Sequence, residues 1–223
     1  MRRMVTAVAL VASAVLTPVA ARAQYLLFDY VGFDYESPRL AQFGDPGSGY
    51  VGLGTVPALF APLVFNTTNN EYTYRISGLT ALTKTPFGSY QVINYSPGTI
   101  EVFEDSKSTG TAADFGTNPP NAVAPGTFID GTPYLVGQLT NFQIVINTAN
   151  GSGSFEAALT MTGGSQYANI PASDRDGWTF AGLTGNATNI PTGYEHQVDG
   201  QVFLAQSTPA RKTTWGNIKA LYR

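Results

Sequence analysis

The chain has 223 residues, of which 12% are charged and none is cysteine, with 24 glycines and 14 prolines. The absence of cysteine excludes disulfides, thiol chemistry and cysteine-ligated zinc. Residues 24–209 hold five basic residues against all 15 acidic ones, a formal net charge of −10, which disfavours nucleic-acid binding because such a surface repels phosphate backbones.

The first 23 residues predict a secretory signal peptide. Two arginines precede an apolar run from Val5 to Leu16, and Ala21-Arg22-Ala23 places small residues at a cleavage point. The run is short for a membrane span, which needs roughly 20 residues, although an uncleaved anchor is the alternative. We therefore expect a mature protein that begins at Gln24 and has no transmembrane segment, either secreted, at the cell surface or in the periplasm.

The body of the chain, residues 24–205, predicts an all-β domain. Gly, Pro and Asn supply turns, while β-branched and aromatic residues suit a pleated face. Period-2 patterns without intervening helical ones favour a single antiparallel β-sandwich, with a jelly roll as a variant. The predicted strands are Tyr25–Val31, Glu71–Leu79, Ser89–Tyr95, Thr99–Asp105, Tyr134–Leu139, Asn141–Asn147, Ser154–Thr162, Trp178–Leu183 and Val198–Ala205.

Turn chemistry predicts how some of these strands connect. Asn150-Gly151 between two alternating runs indicates a hairpin, and Ser96-Pro97-Gly98 predicts a second one. Residues 36–63 are rich in proline and glycine, which favours loops and an edge strand. Residues 106–126 are expected to form a long loop.

No residue set predicts a catalytic site. Glu101, Glu104 and Asp105 form the densest acidic group, but strand alternation sends Glu104 to the opposite face, and solvated acids are the plainer interpretation. His196, the single histidine, is interpreted as a hydrogen-bonding loop residue. The chain has no Gly-x-Ser-x-Gly motif that would supply a nucleophile. These observations favour a protein that is not an enzyme.

Calcium is the one cofactor that the sequence brings into consideration. The segment Asp174-Arg175-Asp176-Gly177 has the opening spacing of a calcium loop but lacks the closing acid. Asp174 and Asp176 are therefore the candidate ligands. The alternative is a turn that precedes the Trp178 strand.

Aromatic residues near predicted loops are candidates for contact with sugars. Tyr50, Tyr134, Tyr167 and Tyr194 lie there, and a ring face can pack on the apolar face of a pyranose. Because aromatics in all-β domains are mostly core residues or cross-strand pairs, burial is the alternative.

The last residues, 206–223, predict a linker and a short basic and aromatic tail. Trp215, Ile218 and Tyr222 would lie along one side of a short helix, with Lys219 and Arg223 near its end. In placement and build the tail resembles the C-terminal sorting or docking tags of exported bacterial surface proteins, although it lacks Leu-Pro-x-Thr-Gly. The resemblance implies that these three side chains dock to a surface or export component; packing on the body is the alternative.

Taken together, these features predict an exported, non-enzymatic surface or extracellular protein, structural or adhesive, whose tail directs its placement. The alternative is a carbohydrate-binding or glycan-cleaving β-sandwich domain, which depends on the aromatics and the scattered acids.

Overall fold

A computed structural model describes residues 23–116 and 125–206. These residues contain β-strands and short 3₁₀ helices, and no α-helix. The strands are β1 (Ala23–Glu36), β2 (Gly49–Leu59), β3 (Asn70–Phe87), β4 (Tyr90–Tyr95), β5 (Gly98–Ser106), β6 (Thr132–Asn147), β7 (Gly153–Gly163), β8 (Trp178–Gly185) and β9 (His196–Gln206). The 3₁₀ helices are Gly126–Phe128, Tyr167–Asn169 and Ala172–Asp174.

The strands close into a barrel, so the predicted β-sandwich and its jelly-roll variant are wrong. Antiparallel pairing runs from β1 through β2, β3, β5, β6, β7 and β8 to β9, and β9 is hydrogen-bonded to β1. Alternation of apolar and polar residues shows that each strand buries one face. Strands of a barrel and strands of a sandwich both do so, and the pattern therefore does not distinguish the two folds. The pairing of β9 with β1, which closes the ring, joins strands from the two ends of the described body. Such a long-range contact produces no local pattern in the sequence.

β4 is an extra strand at one end of the barrel, and its predicted hairpin with β5 is wrong. Both strands lie antiparallel to β3, end to end, with Ala81–Phe87 paired to β4 and Asn70–Ser77 paired to β5. The backbone N–H of Ser96 still donates to Thr80, at 2.8 Å. The Ser96-Pro97-Gly98 segment is therefore a kink, because the 18-residue β3 is long enough to pair with both strands.

Two other sequence predictions have opposite outcomes. The Asn150-Gly151 hairpin is confirmed, since Ile144 pairs with Phe155 and Ile146 with Gly153. The proline-rich stretch 36–63 instead contains β2, which pairs on both sides, with β1 and β3. The glycines of β2 face close neighbours rather than solvent: a Cβ on Gly54 would lie 2.1 Å from the Val31 carbonyl oxygen.

The barrel interior is a packed aromatic core. Tyr30 stacks on Phe180 with ring centroids 4.6 Å apart and contacts Tyr74 edge-on at 5.3 Å. Glycines make room for these rings, because a Cβ on Gly200 would lie 2.3 Å from the Tyr30 hydroxyl oxygen. Eight strands enclose a space that side chains can fill, and here aromatic rings occupy its centre.

The connection from β5 to β6 covers part of the outer wall. Phe115 and Phe128 from this segment pack on Phe33 of β1, Leu53 of β2 and Tyr194. Leu53 points outward, yet it is fully buried. This second apolar layer explains why alternation alone gives an incomplete account of burial in β1 and β2.

The predicted leader and tail lie outside the described residues, which end at Gln206. Trp215, Ile218 and Tyr222 belong to that part, so the tail helix and its docking role stay predictions. Among the described residues, no helix is long and apolar enough to cross a membrane.

Candidate functional site

The candidate site lies at the end of the barrel where β1 finishes and β9 begins, here called the mouth. Along β1 the inward-facing positions change from Tyr30 to Asp34 and Glu36, which are 1% and 3% exposed. His196, the first residue of β9, is also buried at 8%. The layer formed by Asp34, Glu36 and His196 is called the mouth layer.

Asp34 and His196 are bound to each other directly. The Nδ1 atom of His196 lies 3.0 Å and 3.3 Å from the two carboxylate oxygens of Asp34, and its backbone N–H donates to Oδ1 at 2.9 Å. The backbone N–H of Glu195 donates to the Asp34 carbonyl at 2.8 Å. With Nδ1 engaged, Nε2 is the ring nitrogen left to meet a ligand.

The carboxylates of the mouth favour a protonated histidine. Burial alone would lower the pKa of His196, but the hydrogen bond that its protonated ring donates to Asp34, together with the charges of Asp34, Glu195 and Glu36, outweighs burial and raises the pKa above its usual 6.5. The sequence indicates a loop residue at His196, but it is a buried residue of β9. It is paired with a carboxylate 162 positions away in the chain.

Glu36 holds the connection between β1 and β2, residues 37–48, called the mouth loop. One carboxylate oxygen accepts hydrogen bonds from the Gly44 N–H and the Ser48 hydroxyl, both at 2.6 Å. Gly44 has a φ of +75°, and a Cβ there would lie 2.2 Å from Ile93. The loop conformation thus depends on glycine at this position. Phe43 of the same loop packs edge-on against His196, with centroids 4.6 Å apart.

Several polar atoms of the mouth are buried without a hydrogen-bond partner among the described residues. They include the second carboxylate oxygen of Glu36, the hydroxyl of Tyr95 and one oxygen of Glu195. The Glu195 oxygen lies 3.6 Å from Arg39, an ion pair too long for a hydrogen bond. Burial raises the pKa of both Glu36 and Glu195, against the opposing effect of their partners. These carboxyl groups hold protons at a higher pH than exposed ones would.

A pocket of about 440 Å³ opens beside His196, which is within the range of small-molecule sites. We call it the mouth site. Lys84 in its wall binds Asp45 at 2.9 Å. The pocket is lined by Gln42, Phe43, Lys84, Gln91, Ile146, Asn147, Thr148, Gly151 and His196.

This arrangement is suited to binding polar groups. Hydroxyls that a histidine base would activate are committed elsewhere: Ser48 donates to Glu36, and Thr148 donates to the Ser89 carbonyl at 3.2 Å. The side chains that line the pocket are three amides, an ammonium group, an imidazole, a phenyl ring, an isoleucine and a threonine hydroxyl. Such groups can hydrogen-bond to a ligand and stack on it.

The acidic residues singled out from the sequence lie away from the mouth. Glu101 forms an ion pair with Arg75 at 2.6 Å, and Glu104 accepts hydrogen bonds from Asn70 and the Tyr72 hydroxyl. Asp105 accepts the N–H of Ser106 at 2.8 Å. These acids are thus partly buried and paired with neighbouring residues rather than freely solvated.

Asp174 and Asp176, the candidate calcium ligands, lie in the connection from β7 to β8. The Asp174 carbonyl accepts the indole N–H of Trp178, and Asp176 accepts from Thr160 and from the Gly177 N–H. No cluster of three or more metal-ligating side chains occurs in the described parts of the chain. Calcium binding here stays a prediction, which melting with calcium and then with a chelator would test.

The candidate tyrosines do not form an exposed platform. Tyr50 and Tyr134 are 1% and 0% exposed, and Tyr194 is 7% exposed within the outer apolar layer. Tyr167 is covered by the guanidinium of Arg175, 4.1 Å from its ring centroid. Burial, the alternative given above, is correct for three of the four.

Sequence reasoning missed Asp34, Glu36 and Lys84. A signal was present: Asp34 and Glu36 are two residues apart in an alternating aromatic run, so both continue the buried face of Tyr30. The prediction ended the first strand at Val31 and assigned residues 36–63 mostly to loop and edge strand, so Asp34 and Glu36 were not placed on that strand.

Comparison with known proteins gives no relative. No protein-family model matches the chain, and neither a curated protein nor a solved structure is significantly similar to it. The function must therefore be argued from the site.

Proposed function

We propose that the protein is an exported, non-enzymatic carbohydrate-binding protein that holds a short stretch of glycan in the mouth site. This is an adhesive role at a surface or in the extracellular medium. The observation that carries the proposal is the wall of the mouth site, which combines amides, an ammonium group and an aromatic ring. Sugars offer hydroxyls to such amides and an apolar face to such a ring.

The packed barrel centre supports a site at the mouth rather than within the barrel. Aromatic rings fill the interior around Tyr30, whereas the mouth site is an open concavity of about 440 Å³. A ligand can therefore bind at the mouth without displacing core side chains. The mouth loop, fixed through Glu36, keeps one wall in place.

A glycan array followed by calorimetry tests the proposal on the purified protein. We expect binding to at least one glycan class. Replacing Gln91 and Asn147 together by alanine should weaken binding about tenfold or more, since each lost hydrogen bond is worth roughly 0.5–1.5 kcal/mol. The matched control is Gln201→Ala, an exposed glutamine of β9 outside the mouth, which should bind normally.

Two outcomes would overturn the proposal. Unchanged affinity in the Gln91/Asn147 double variant would place the binding elsewhere, and silence across the array would remove the function. A reducing-sugar assay on the bound glycan separates binding from cleavage. Release of sugar by the wild-type protein would replace the non-enzymatic role with the glycan-cleaving alternative.

Export and placement are proposed from the sequence. We expect N-terminal sequencing of the exported protein to begin at Gln24. Deleting residues 211–223 should change its localisation and leave its melting temperature unaltered if the tail docks to a surface or export component. Unchanged localisation with a lowered melting temperature would instead indicate a tail that packs on the body.

A further inference from the structure

In the amide side chains of Gln42 and Asn147, which line the mouth site, the oxygen atoms already accept hydrogen bonds from the protein. The side-chain oxygen of Gln42 accepts from the Lys84 ammonium at 3.3 Å, and that of Asn147 accepts from the Ala149 N–H at 2.9 Å. Each amide oxygen therefore uses one of its two lone pairs within the protein. The NH₂ groups remain as donors for a ligand.

Lys84 adds a further donor. Its ammonium group has three hydrogens, and the described residues provide two acceptors, Asp45 at 2.9 Å and Gln42 at 3.3 Å. Its side chain is 11% exposed, so it is held in place beside the pocket. One charged N–H is left for a ligand.

Three carboxylates near the mouth are engaged by other groups, while one oxygen of Glu36 and one of Glu195 have no hydrogen-bond partner among the described residues. Among the described residues that line the mouth site, none is acidic. Asp45 is bound by Lys84 and by the Gln42 N–H at 2.9 Å, Asp34 by His196, and Glu36 by the mouth loop. A ligand therefore meets donors first.

The overall acidity of the body opposes an anionic ligand only weakly at contact. Charges farther away than about 8 Å are largely screened at physiological ionic strength, whereas hydrogen bonds to a charged group are worth roughly 1.5–3 kcal/mol. The acids closest to the site are themselves paired, Asp45 with Lys84 and Asp34 with His196, so that direct contacts with Lys84 and the two amides outweigh the remaining repulsion.

We propose that the mouth site takes an acidic sugar residue, a uronic acid, whose carboxylate accepts hydrogen bonds from Lys84 and from the NH₂ groups of Gln42 and Asn147. This inference depends on the proposed carbohydrate binding and specifies its ligand. Sugar hydroxyls then contact the remaining polar wall, including Gln91, and the ring of Phe43 packs against the sugar.

Calorimetry with a matched pair of ligands tests the inference. One ligand is a uronic-acid oligosaccharide and the other is the same oligosaccharide with its carboxyl groups reduced to alcohols. At neutral pH and physiological salt we expect the acidic ligand to bind at least about tenfold more tightly. Equal or tighter binding of the neutral ligand would overturn the inference and leave the proposed function standing. Binding of neither ligand by a protein that is silent on the array would overturn both.

Variants at the mouth separate charge recognition from folding. Gln42→Glu is the sharper one, since Gln42 is exposed on the mouth loop and its replacement adds a negative charge where the carboxylate would lie. We expect it to reduce the preference for the acidic ligand to about twofold or less while neutral binding persists. Lys84→Gln should do the same.

The control is Lys107→Gln, a lysine that donates to the Thr67 carbonyl at 2.6 Å at the other end of the barrel. It should keep the full preference. Melting temperatures confirm that each variant is folded. A folded Gln42→Glu protein that retains the wild-type preference would overturn the inference, as would loss of the preference in Lys107→Gln.

Discussion

The centre of the barrel and its mouth layer are built from the same strands but by different chemistry. In β1, Tyr30 lies in the centre and stacks on Phe180 at 4.6 Å, while Asp34, four residues further along the same inward face, pairs with His196 at the mouth. The centre consists of aromatic rings fitted to glycines. The mouth layer consists of titratable groups that are buried with their partners.

This difference suggests that the centre of the barrel determines its stability, whereas the mouth determines ligand binding. Burial of large rings supplies the favourable free energy of the centre. Burying the carboxylates of the mouth costs desolvation, which pairing offsets only in part, and some of their oxygens are unpartnered. Substitutions in the centre should therefore change stability most, and those at the mouth should change pH dependence and ligand binding.

Phe180→Ala should have the largest effect on stability. Phe180 is fully buried and contacts Tyr30, Phe142 and Phe155. Its truncation leaves a cavity and should lower the free energy of unfolding by about 3–5 kcal/mol. Urea unfolding measures it. The matched control is Phe87→Ala, at a ring that is 75% exposed, which should cost well under about 1 kcal/mol. Equal effects would contradict a packed centre.

Gly200→Ala tests the fit between glycine and ring. The added Cβ would lie 2.3 Å from the Tyr30 hydroxyl and 2.4 Å from the Ala181 carbonyl oxygen, and relief of this overlap should cost about 1–3 kcal/mol. Gly185→Ala is the control, since nothing lies within 4 Å of its Cβ. A Gly200 variant as stable as the Gly185 variant would show that the ring has room to move.

Asp34→Asn sharpens the comparison from the side of the mouth. The variant keeps the size of the side chain but removes the negative charge that His196 binds, which should cost about 1–3 kcal/mol at pH 6 and less at pH 8. Thermal unfolding at both pH values measures it. Asp199→Asn, at an exposed residue of β9, should change stability by under about 0.5 kcal/mol. A pH-independent loss in Asp34→Asn would contradict a charged pair.

The smallest expected effect is a fall in stability between pH 5 and pH 8. The folded-state pKa values of His196, Glu36 and Glu195 are all raised, so the folded protein binds more protons than the unfolded chain in this range. The His196 contribution is complete below about 6.5 and is lost as the pH rises through the raised pKa; those of the two glutamates are complete below about 4.5 and are lost in the same direction.

The slope should be below about 1.4 kcal/mol per pH unit for each proton involved. Melting temperatures across this range measure it, and His196→Gln should flatten the part above pH 6. A wild-type melting temperature that rises from pH 5 to pH 8 would contradict the assignment. Asp45 and Asp176, whose pKa values are lowered by hydrogen bonds, act with the opposite sign only at more acidic pH.

The sequence identifies individual strands better than their arrangement. The run from Asn141 to Thr162 is predicted correctly because alternation and Asn150-Gly151 are both local signals. The closure of β9 on β1 and the end-to-end placement of β4 and β5 depend on pairing between distant segments. Ser96-Pro97-Gly98 satisfies turn chemistry, yet the backbone there stays bonded to β3, which decides the outcome.

The mouth site could not be predicted either, because it also depends on contacts between segments that are distant in the sequence. Asp34 and His196 are 162 residues apart, and only barrel closure brings them together. The interpretation of His196 as a loop residue followed from its polar neighbours in sequence, whereas its partners in space are Asp34 and Phe43.

The most direct test uses His196 as its own reporter, because the chain contains a single histidine. Imidazole NMR signals of the untagged protein can be followed through a pH titration, with and without a uronic-acid oligosaccharide. We predict a His196 pKa above 6.5 and a change in its signals when the oligosaccharide binds. A pKa at or below 6.5, together with His196 signals that do not change when an oligosaccharide binds, would contradict the mouth layer as the site of recognition.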